Sequence, residues 1–211
     1  MLSESGLRAI LPTLPLISEG GPWTRVLGYH LLQGPPPGSA GPPQPLWPGG
    51  PILSGARFSL KGSFGGIYLA SDPVTALKEV DAILNRTDLL PFTIQTPPWT
   101  VFAVKGVLEK ILDLTDPQVQ TRLGTSSSEL SGPWLVPQSR YLRGESSFPP
   151  PTQLLGQVAH ETGLILGFKY DSAKNLNEGF NFVVFSDRLA IGRSSFLEVY
   201  DPHDYIRQRL P

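Results

Sequence analysis

The sequence predicts an α+β fold, a single domain with a mixed, largely antiparallel sheet and short helices. Strand-like segments outnumber helical ones, and the two kinds of segment do not alternate strictly as they do in a parallel βαβ protein. A chain of 211 residues suits one domain with one core. Its 23 prolines and 22 glycines indicate long irregular connections between the elements.

The first part of the chain predicts a short helix, a strand and a proline-rich insert. Within the N-terminal extension, residues 1–22, Ser3 or Ser5 can cap a brief helix that prolines soon end. Residues 24–32, TRVLGYHLL, have the apolar pattern of a strand. The insert at residues 34–51, GPPPGSAGPPQPLWPGGP, favours extended surface chain, with its Leu and Trp as the side chains able to bury. We interpret it as a solvated connector; a polyproline ligand for a partner is the alternative.

The stretch SGARFSLKGSFGGIYLASDPVTALKEV, residues 54–80, combines a loop, a strand and a helix. Its glycines predict a tight loop, and IYLA predicts a buried strand. Asp72 is a suitable N-cap with Pro73 at the first helical position, and apolar residues at helical spacing extend the predicted helix over residues 72–85. Glu79 is one position from this apolar stripe, at the boundary of the core.

The remaining elements are predicted from the same kinds of signal. A loop is expected through GPWLVP, residues 132–137, and Gly163 should end a helix of about ten residues. The other predicted elements, in chain order, are one or two strands over residues 99–115, a short capped helix over 116–126, and strands in 164–172, 179–192 and 193–201.

Composition excludes several classes of protein. The net charge is −1 without a basic block, so neither a nucleic-acid partner nor a membrane surface is expected. The chain has no cysteine and only three scattered histidines, which excludes disulfides and cysteine nucleophiles and argues against a metal site. We find no phosphate-binding P-loop and no G-x-S-x-G elbow. The N-terminus lacks the basic start of a signal peptide, so we expect a cytoplasmic protein.

Three side chains in residues 54–80 could form a site for a nucleotide ribose. Cleavage of an N-glycosidic bond gives the ribose carbon oxocarbenium character, which a carboxylate such as Glu79 stabilises. An arginine such as Arg57 can bind phosphates, and an aromatic ring such as that of Tyr68 can pack on the leaving base. Each residue also has an ordinary interpretation, as a solvated arginine, a core tyrosine and a surface glutamate. A glycosidase-type pair of carboxylates elsewhere in the chain also stays open.

The same residues carry a resemblance to the RES domain family. The segment GARFSLKGSFGGIYLASDPVTALKEV resembles the family pattern G-[GA]-R-[WF], a glycine-bearing loop, [IV]-Y-x-[AS] and a helix with an acidic residue. Downstream, GLILGFKYDSAKNLNEGFNFVVFSDRL resembles a segment G-hydrophobic-x-Y-x-S-x-[RK] followed by N-x-V-x-F. The family serine then corresponds to Ser172. The resemblance extends over residues 25–189, most of the chain.

The resemblance implies an ADP-ribosyltransferase-like fold and an NAD+-degrading toxin of a bacterial toxin–antitoxin pair. On that basis Arg57 would grip the dinucleotide, Tyr68 would pack on the nicotinamide side, Glu79 would serve the nicotinamide ribose and Ser172 would hydrogen-bond within the pocket. The two remaining candidates for binding NAD+ are Arg25, as a second phosphate contact, and Lys174, as a point charge.

The expected activity is therefore that of an NAD+ glycohydrolase or NAD+ phosphorylase, with water or phosphate as acceptor. NAD+ is the substrate, no cofactor or metal is expected, and a cognate antitoxin is the expected protein partner. The location would be the bacterial cytoplasm, or a target cell if the protein is delivered as a secreted effector. Transfer of ADP-ribose to a protein target, and an inactive NAD-binding or interaction module, stay as alternatives.

Two departures from the family pattern bear on the pocket. Ser59 replaces the asparagine that often follows R-[WF], and the interval between Arg57 and Tyr68 is longer than expected by one residue. The proline-rich insert is also unusually long, which concerns the entrance to the pocket or a partner surface more than the chemistry.

Overall fold

Eight strands form one mixed sheet in the computed structural model, which describes residues 1–32, 41–81, 98–175, 178–191 and 194–211. The strands are β1 (Ile17–Gly20), β2 (Trp23–Gly28), β3 (Gly66–Ala70), β4 (Trp99–Asp113), β5 (Gly167–Asp171), β6 (Phe180–Phe185), β7 (Phe196–Tyr200) and β8 (Arg209–Leu210). The helices are α1 (Glu4–Ile10), α2 (Gly50–Ser54), α3 (Pro73–Glu79), α4 (Pro117–Leu123), α5 (Ser127–Ser131), α6 (Leu135–Leu142) and α7 (Pro151–Thr162). The predicted fold class is confirmed.

The long strand β4 organises the sheet. The order β2-β3-β6-β5-β4-β7-β8 is supplemented by pairings of β4 with β1 and with β2. Because β4 pairs with β2 as well as with β5, the series β2, β3, β6, β5 and β4 closes on itself. Among the described pairings, the one between β4 and β5 is parallel and the others are antiparallel.

Two hydrophobic clusters pack on the two faces of the sheet. Alternation along β6 shows the division, since Val183 and Phe185 belong to one cluster and Phe182 and Val184 to the other. The first cluster also contains buried side chains of α1, α4 and α7. Residues 1–22 are thus packed into the fold, with α1 against α7 and β1 paired to β4.

Several predicted boundaries are confirmed by the helix caps. The Ser3 hydroxyl accepts a hydrogen bond from Gly6 N at the start of α1, and the Asp72 carboxylate accepts one from Thr75 N at the start of α3. Asp116 caps α4, and Gly163 ends α7 with a positive φ of 67°.

Other boundaries were wrong. The predicted strand 24–32 ends at Gly28, where a 3₁₀ turn begins, and the predicted loop 132–137 contains the start of α6. Helix α3 ends at Glu79, so the helix predicted over residues 72–85 is too long. Residues 82–85 of that prediction lie outside the described part of the chain. Residues 33–40 of the insert also lie outside it, whereas Leu46 is fully buried as predicted.

Candidate functional site

The strand-turn-helix unit of β3 and α3 carries two of the predicted site residues. Tyr68 is in the middle of β3, and Glu79 is the last residue of α3. The turn between them is held by Asp72, whose carboxylate accepts hydrogen bonds from Thr75 N at 2.9 Å, Thr75 Oγ1 at 2.6 Å and Ser71 Oγ at 2.7 Å. Burial acts to raise the pKa of Asp72, but these hydrogen bonds outweigh it and hold the pKa below its ordinary value. The capped turn thereby fixes the direction in which α3 presents Glu79.

Two neutral donors orient the carboxylate of Glu79. Its Oε1 accepts hydrogen bonds from Ser172 Oγ at 2.6 Å and from Asn181 Nδ2 at 2.9 Å. Ser172 Oγ itself accepts from Asn175 N at 2.9 Å, so its hydroxyl proton points to the glutamate. Since both hydrogen bonds to the carboxylate from described residues fall on Oε1, Oε2 is the oxygen left for a ligand.

Arg57 extends from the loop after α2 to the end of α5. Its Nη1 donates to the carbonyl oxygens of Leu130 at 2.8 Å and of Gly132 at 2.7 Å. These carbonyls belong to the C-terminal end of a helix, where a cation is favourably placed. The guanidinium has five N–H donors, and its hydrogen bonds within the described part of the chain use Nη1, which leaves those on Nε and Nη2 for a ligand.

Two tyrosines stand beside these charged groups. The Tyr68 hydroxyl accepts a hydrogen bond from Phe58 N at 3.3 Å, and burial raises the pKa of Tyr68 to about 12. Burial also raises the pKa of Tyr170 well above its ordinary value. Both phenols are therefore neutral at physiological pH, and they offer aromatic surface and a hydroxyl group without adding charge.

These side chains line one cavity of about 750 Å³, a volume typical of pockets for ligands of cofactor size. Its polar and aromatic lining includes Arg57, Tyr68, Glu79, Tyr170, Lys174 and Asn181. A second set of lining residues is mostly apolar and extends from the last residue of α5 to the first turn of α6, namely Ser131, Gly132, Pro133, Trp134, Leu135 and Val136. The cavity therefore combines a cation, an oriented carboxylate and aromatic surface.

Ser172 and Lys174 approach the cavity in different ways. Ser172 is fully buried beside Glu79 and is not among the lining residues, so its contact in this structure is with the glutamate. Its assignment as a catalytic residue stays a prediction. Lys174 does line the cavity, and its Nζ lies 2.7 Å from the Asp81 carboxylate and 2.9 Å from the Glu79 carbonyl oxygen. Its positive charge is thus shared with the end of α3.

Arg25 points away from the cavity. Its neighbours Thr24 and Val26 line the cavity, so the alternation of side chains along β2 directs Arg25 to the other face of the strand. There it is buried and donates to the carbonyl oxygens of Tyr68 at 3.2 Å and Trp47 at 2.8 Å. Burial lowers the pKa of Arg25 to about 10, which still leaves it charged at neutral pH. The structure therefore does not bring Arg25 into the cavity with Arg57 and Glu79, and its phosphate contact stays a prediction.

Sequence reasoning missed Tyr170 and Asn181 as cavity residues. Both stand in segments that were already singled out, Tyr170 in G-x-x-Y-x-S and Asn181 at the start of N-x-V-x-F. The signal that could have found Asn181 is a polar side chain at the start of a strand that is otherwise fully apolar. Such a residue, 3% exposed here, needs a hydrogen-bond partner, and that partner is Glu79.

The described residues lack two kinds of feature. They contain no group of three or more histidine, aspartate or glutamate side chains that could hold a metal ion. They also contain no helix that is long and apolar enough to span a membrane.

Comparison with known proteins gives one family and one informative fold. A family model described as the RES domain matches residues 31–197. The fold is similar to a chain in the crystal structure of the MbcT–MbcA toxin–antitoxin complex of M. tuberculosis, with a TM-score of 0.65 and 18% sequence identity. That alignment covers 93% of this chain and 90% of the other. Comparison with curated proteins by sequence gives no match.

Proposed function

This chain belongs to the RES domain family, and from that premise we propose that it is an NAD+-cleaving enzyme. Nicotinamide leaves, and water or phosphate accepts the ADP-ribose unit. The observation that carries the proposal is the carboxylate of Glu79, which Ser172 and Asn181 hold by one oxygen in a cavity that Arg57 and Tyr68 also line. An oriented carboxylate, a cation and an aromatic ring are the groups that a dinucleotide with a cationic leaving base requires.

The reaction needs electrostatic stabilisation more than proton transfer. When the bond between the nicotinamide nitrogen and ribose C1′ breaks, the electron pair stays on the nitrogen and neutralises the pyridinium. The positive charge then develops on C1′ and the ring oxygen, where the Oε2 side of the Glu79 carboxylate stabilises it. The acceptor oxygen attacks C1′; when the acceptor is water, it loses a proton to solvent, and the products are ADP-ribose and nicotinamide.

The other lining groups would bind and orient the dinucleotide. Arg57 has donors on Nε and Nη2 for the diphosphate oxygens, while its Nη1 stays on the carbonyls of α5. Lys174 adds a point charge beside the same cavity. The neutral ring of Tyr68 would pack on the nicotinamide, and the hydrogen bond from Phe58 N holds that ring in place.

The biological role that follows is that of a toxin under the control of an antitoxin. Membership of the RES family and the similarity to a chain of a toxin–antitoxin complex support this role. Uncontrolled NAD+ cleavage would stop growth of the cell that makes it, so a cognate antitoxin protein would restrain the enzyme. Growth of bacteria that express the parent protein or Glu79→Gln tests the role, and equal growth of the two strains would contradict it.

The activity is tested by incubating purified protein with NAD+ and separating the products by chromatography and mass spectrometry. We expect one nicotinamide for each NAD+ consumed, with ADP-ribose in plain buffer and ADP-ribose 1″-phosphate where phosphate is the acceptor. NAD+ labelled in the adenylate half would mark the protein itself if a protein were the acceptor. Absence of nicotinamide release, with and without phosphate, would overturn the proposal.

A further inference from the structure

The connection between α5 and α6, together with the first turn of α6, forms a mostly apolar part of the cavity lining that the proposed reaction leaves without a role. Pro133, Trp134, Leu135 and Val136 all line the cavity. Leu135 is 58% exposed and Val136 is 59% exposed, and the indole of Trp134 is half-buried beside them. Large apolar side chains that line a cavity while exposed to solvent are typical of a surface that a ligand covers.

Trp134 is held between two anchored points. On one side, the carbonyl oxygen of Gly132 accepts a hydrogen bond from Arg57 Nη1 at 2.7 Å. On the other side, the Trp134 carbonyl oxygen accepts from Gln138 N at 2.9 Å, and the Gln138 side chain is 3% exposed. The indole is therefore presented by a backbone that is fixed before a ligand arrives.

The anchor at Gln138 is a buried amide network. Gln138 Nε2 donates to Ser54 O at 3.0 Å, and Gln138 Oε1 accepts from Gln153 Nε2 at 2.7 Å. Gln153 Nε2 also donates to Ala56 O at 2.8 Å. The network joins α6 and α7 to the loop that carries Arg57, so the segments that carry the guanidinium and the indole are linked by buried hydrogen bonds.

The hydrogen bond between Arg57 and Gly132 relates Trp134 to one end of a bound dinucleotide. Glu79, with Tyr68 and Asn181, takes the nicotinamide ribose in the proposed reaction, and Arg57 takes the diphosphate. Arg57 is also bound directly to Gly132, two residues before Trp134. In a dinucleotide the group that follows the diphosphate on the side away from the nicotinamide is the adenosine.

We infer that Trp134 is the stacking platform for the adenine base, and so a determinant of specificity for a dinucleotide over a mononucleotide. This inference rests on the proposed function for the identity of the substrate. An indole face stacks on any purine, and the loss of one base stack on substitution by alanine weakens binding by roughly ten- to a hundredfold. The effect should fall on KM, because the adenine lies away from the bond that breaks.

The first test is steady-state cleavage of NAD+ by the parent, Trp134→Ala, Trp134→Phe and the control Leu142→Ala. Leu142 is the exposed last residue of α6, the helix that Trp134 precedes, and it is not in the cavity lining. We expect Trp134→Ala to raise KM roughly ten- to a hundredfold with kcat unchanged, Trp134→Phe to stay within about threefold, and Leu142→Ala to match the parent. An unchanged KM in Trp134→Ala, a change confined to kcat, or an equal effect in all three variants would overturn the inference.

A second test measures the contribution of Trp134 to ligand affinity without turnover. Binding of ADP-ribose, which contains adenine, is compared with binding of nicotinamide mononucleotide, which does not, by titration calorimetry. Trp134→Ala should weaken ADP-ribose roughly ten- to a hundredfold and leave nicotinamide mononucleotide unchanged. Equal losses for both ligands, no loss for ADP-ribose, or no binding of ADP-ribose to the parent would overturn the inference. If ADP-ribose affinity depended on Trp134 while the parent released no nicotinamide from NAD+, the proposed reaction would fail and the platform would stand.

Discussion

Substitution of Ser172 by alanine isolates the contact that positions Glu79. The change removes a hydroxyl that donates to the Glu79 carboxylate at 2.6 Å and accepts from Asn175 N at 2.9 Å. A hydrogen bond to a charged group contributes about 1.5–3 kcal/mol, and a buried donor left without a partner costs about 1–3 kcal/mol. We therefore expect Ser172→Ala to lower the free energy of unfolding by about 2.5–6 kcal/mol, from the sum of these two effects.

A double-mutant cycle separates the two effects. The loss at Asn175 N is the same whether residue 79 is a glutamate or a glutamine, so it cancels in the cycle of Ser172→Ala and Glu79→Gln. What is left is the part of the hydrogen bond that depends on the charge of Glu79, which we expect to be about 1–2 kcal/mol. Urea unfolding of the four proteins measures it, and Ser63→Ala, at an exposed serine, is the control, expected to change stability by less than about 0.5 kcal/mol.

The same variant has a kinetic signature. Because Ser172 does not line the cavity, Ser172→Ala should lower kcat for nicotinamide release while leaving KM for NAD+ near the parent value. The positioning role of Ser172 would be refuted by two results together: effects of Ser172→Ala and Glu79→Gln on the free energy of unfolding that add to within about 0.5 kcal/mol, and an unchanged kcat in Ser172→Ala.

Three further predictions concern the elements that build the site. Asp72→Ala should lower the free energy of unfolding by about 1–2 kcal/mol in urea, and Asp72→Asn should restore most of it, since either side chain can cap α3; equal losses would contradict this. Burial raises the pKa of Tyr68 to about 12 in the folded protein, above the ordinary value of about 10 that applies to the unfolded chain. The neutral phenol therefore stabilises the fold fully below pH 10, and this contribution is lost as pH rises towards 12. From pH 9 to 11.5 the parent should therefore lose about 1–2 kcal/mol more stability than Tyr68→Phe, and parallel pH profiles would oppose this assignment. Gly156→Ala would bring a methyl group to 1.8 Å from the Phe58 carbonyl oxygen, so we expect a loss of at least about 1–3 kcal/mol and a lower melting temperature; an unchanged melting temperature would show that the contact between α7 and the Arg57 loop is not tight.

Local patterns predicted the elements that carry the site. The Asp72-Pro73 start of α3 and the glycine end of α7 are signals contained within a few residues, and the structure has both. The start of α6 was missed because Pro133 and Pro137 within residues 132–137 suggest a loop, whereas the helix begins between them and is held by the buried Gln138. One hydrogen bond that holds this helix joins Gln138 to Ser54 O, more than eighty positions earlier, which periodicity cannot reveal.

The site was predicted in part by residue chemistry and in part by resemblance. Arg57, Tyr68 and Glu79 do line one cavity, but the partners that orient Arg57 and Glu79 are distant in sequence. Ser172 came from the family pattern alone, and only the structure shows that it lies beneath Glu79. Arg25 is absent from the cavity lining, which could not be foreseen because the sequence alone does not reveal which face of β2 is directed towards the cavity.

The most direct test of the account is nicotinamide release from NAD+ by the parent protein and by Glu79→Gln, with Glu4→Gln as the control. Glu4 is an exposed carboxylate of α1, paired with Arg8 and absent from the cavity lining. We predict that the parent and Glu4→Gln release nicotinamide at the same rate and that Glu79→Gln is slower by roughly a hundred- to a thousandfold, the effect of removing one electrostatic group from a transition state. Equal rates for the parent and Glu79→Gln, or no release by the parent, would contradict the account.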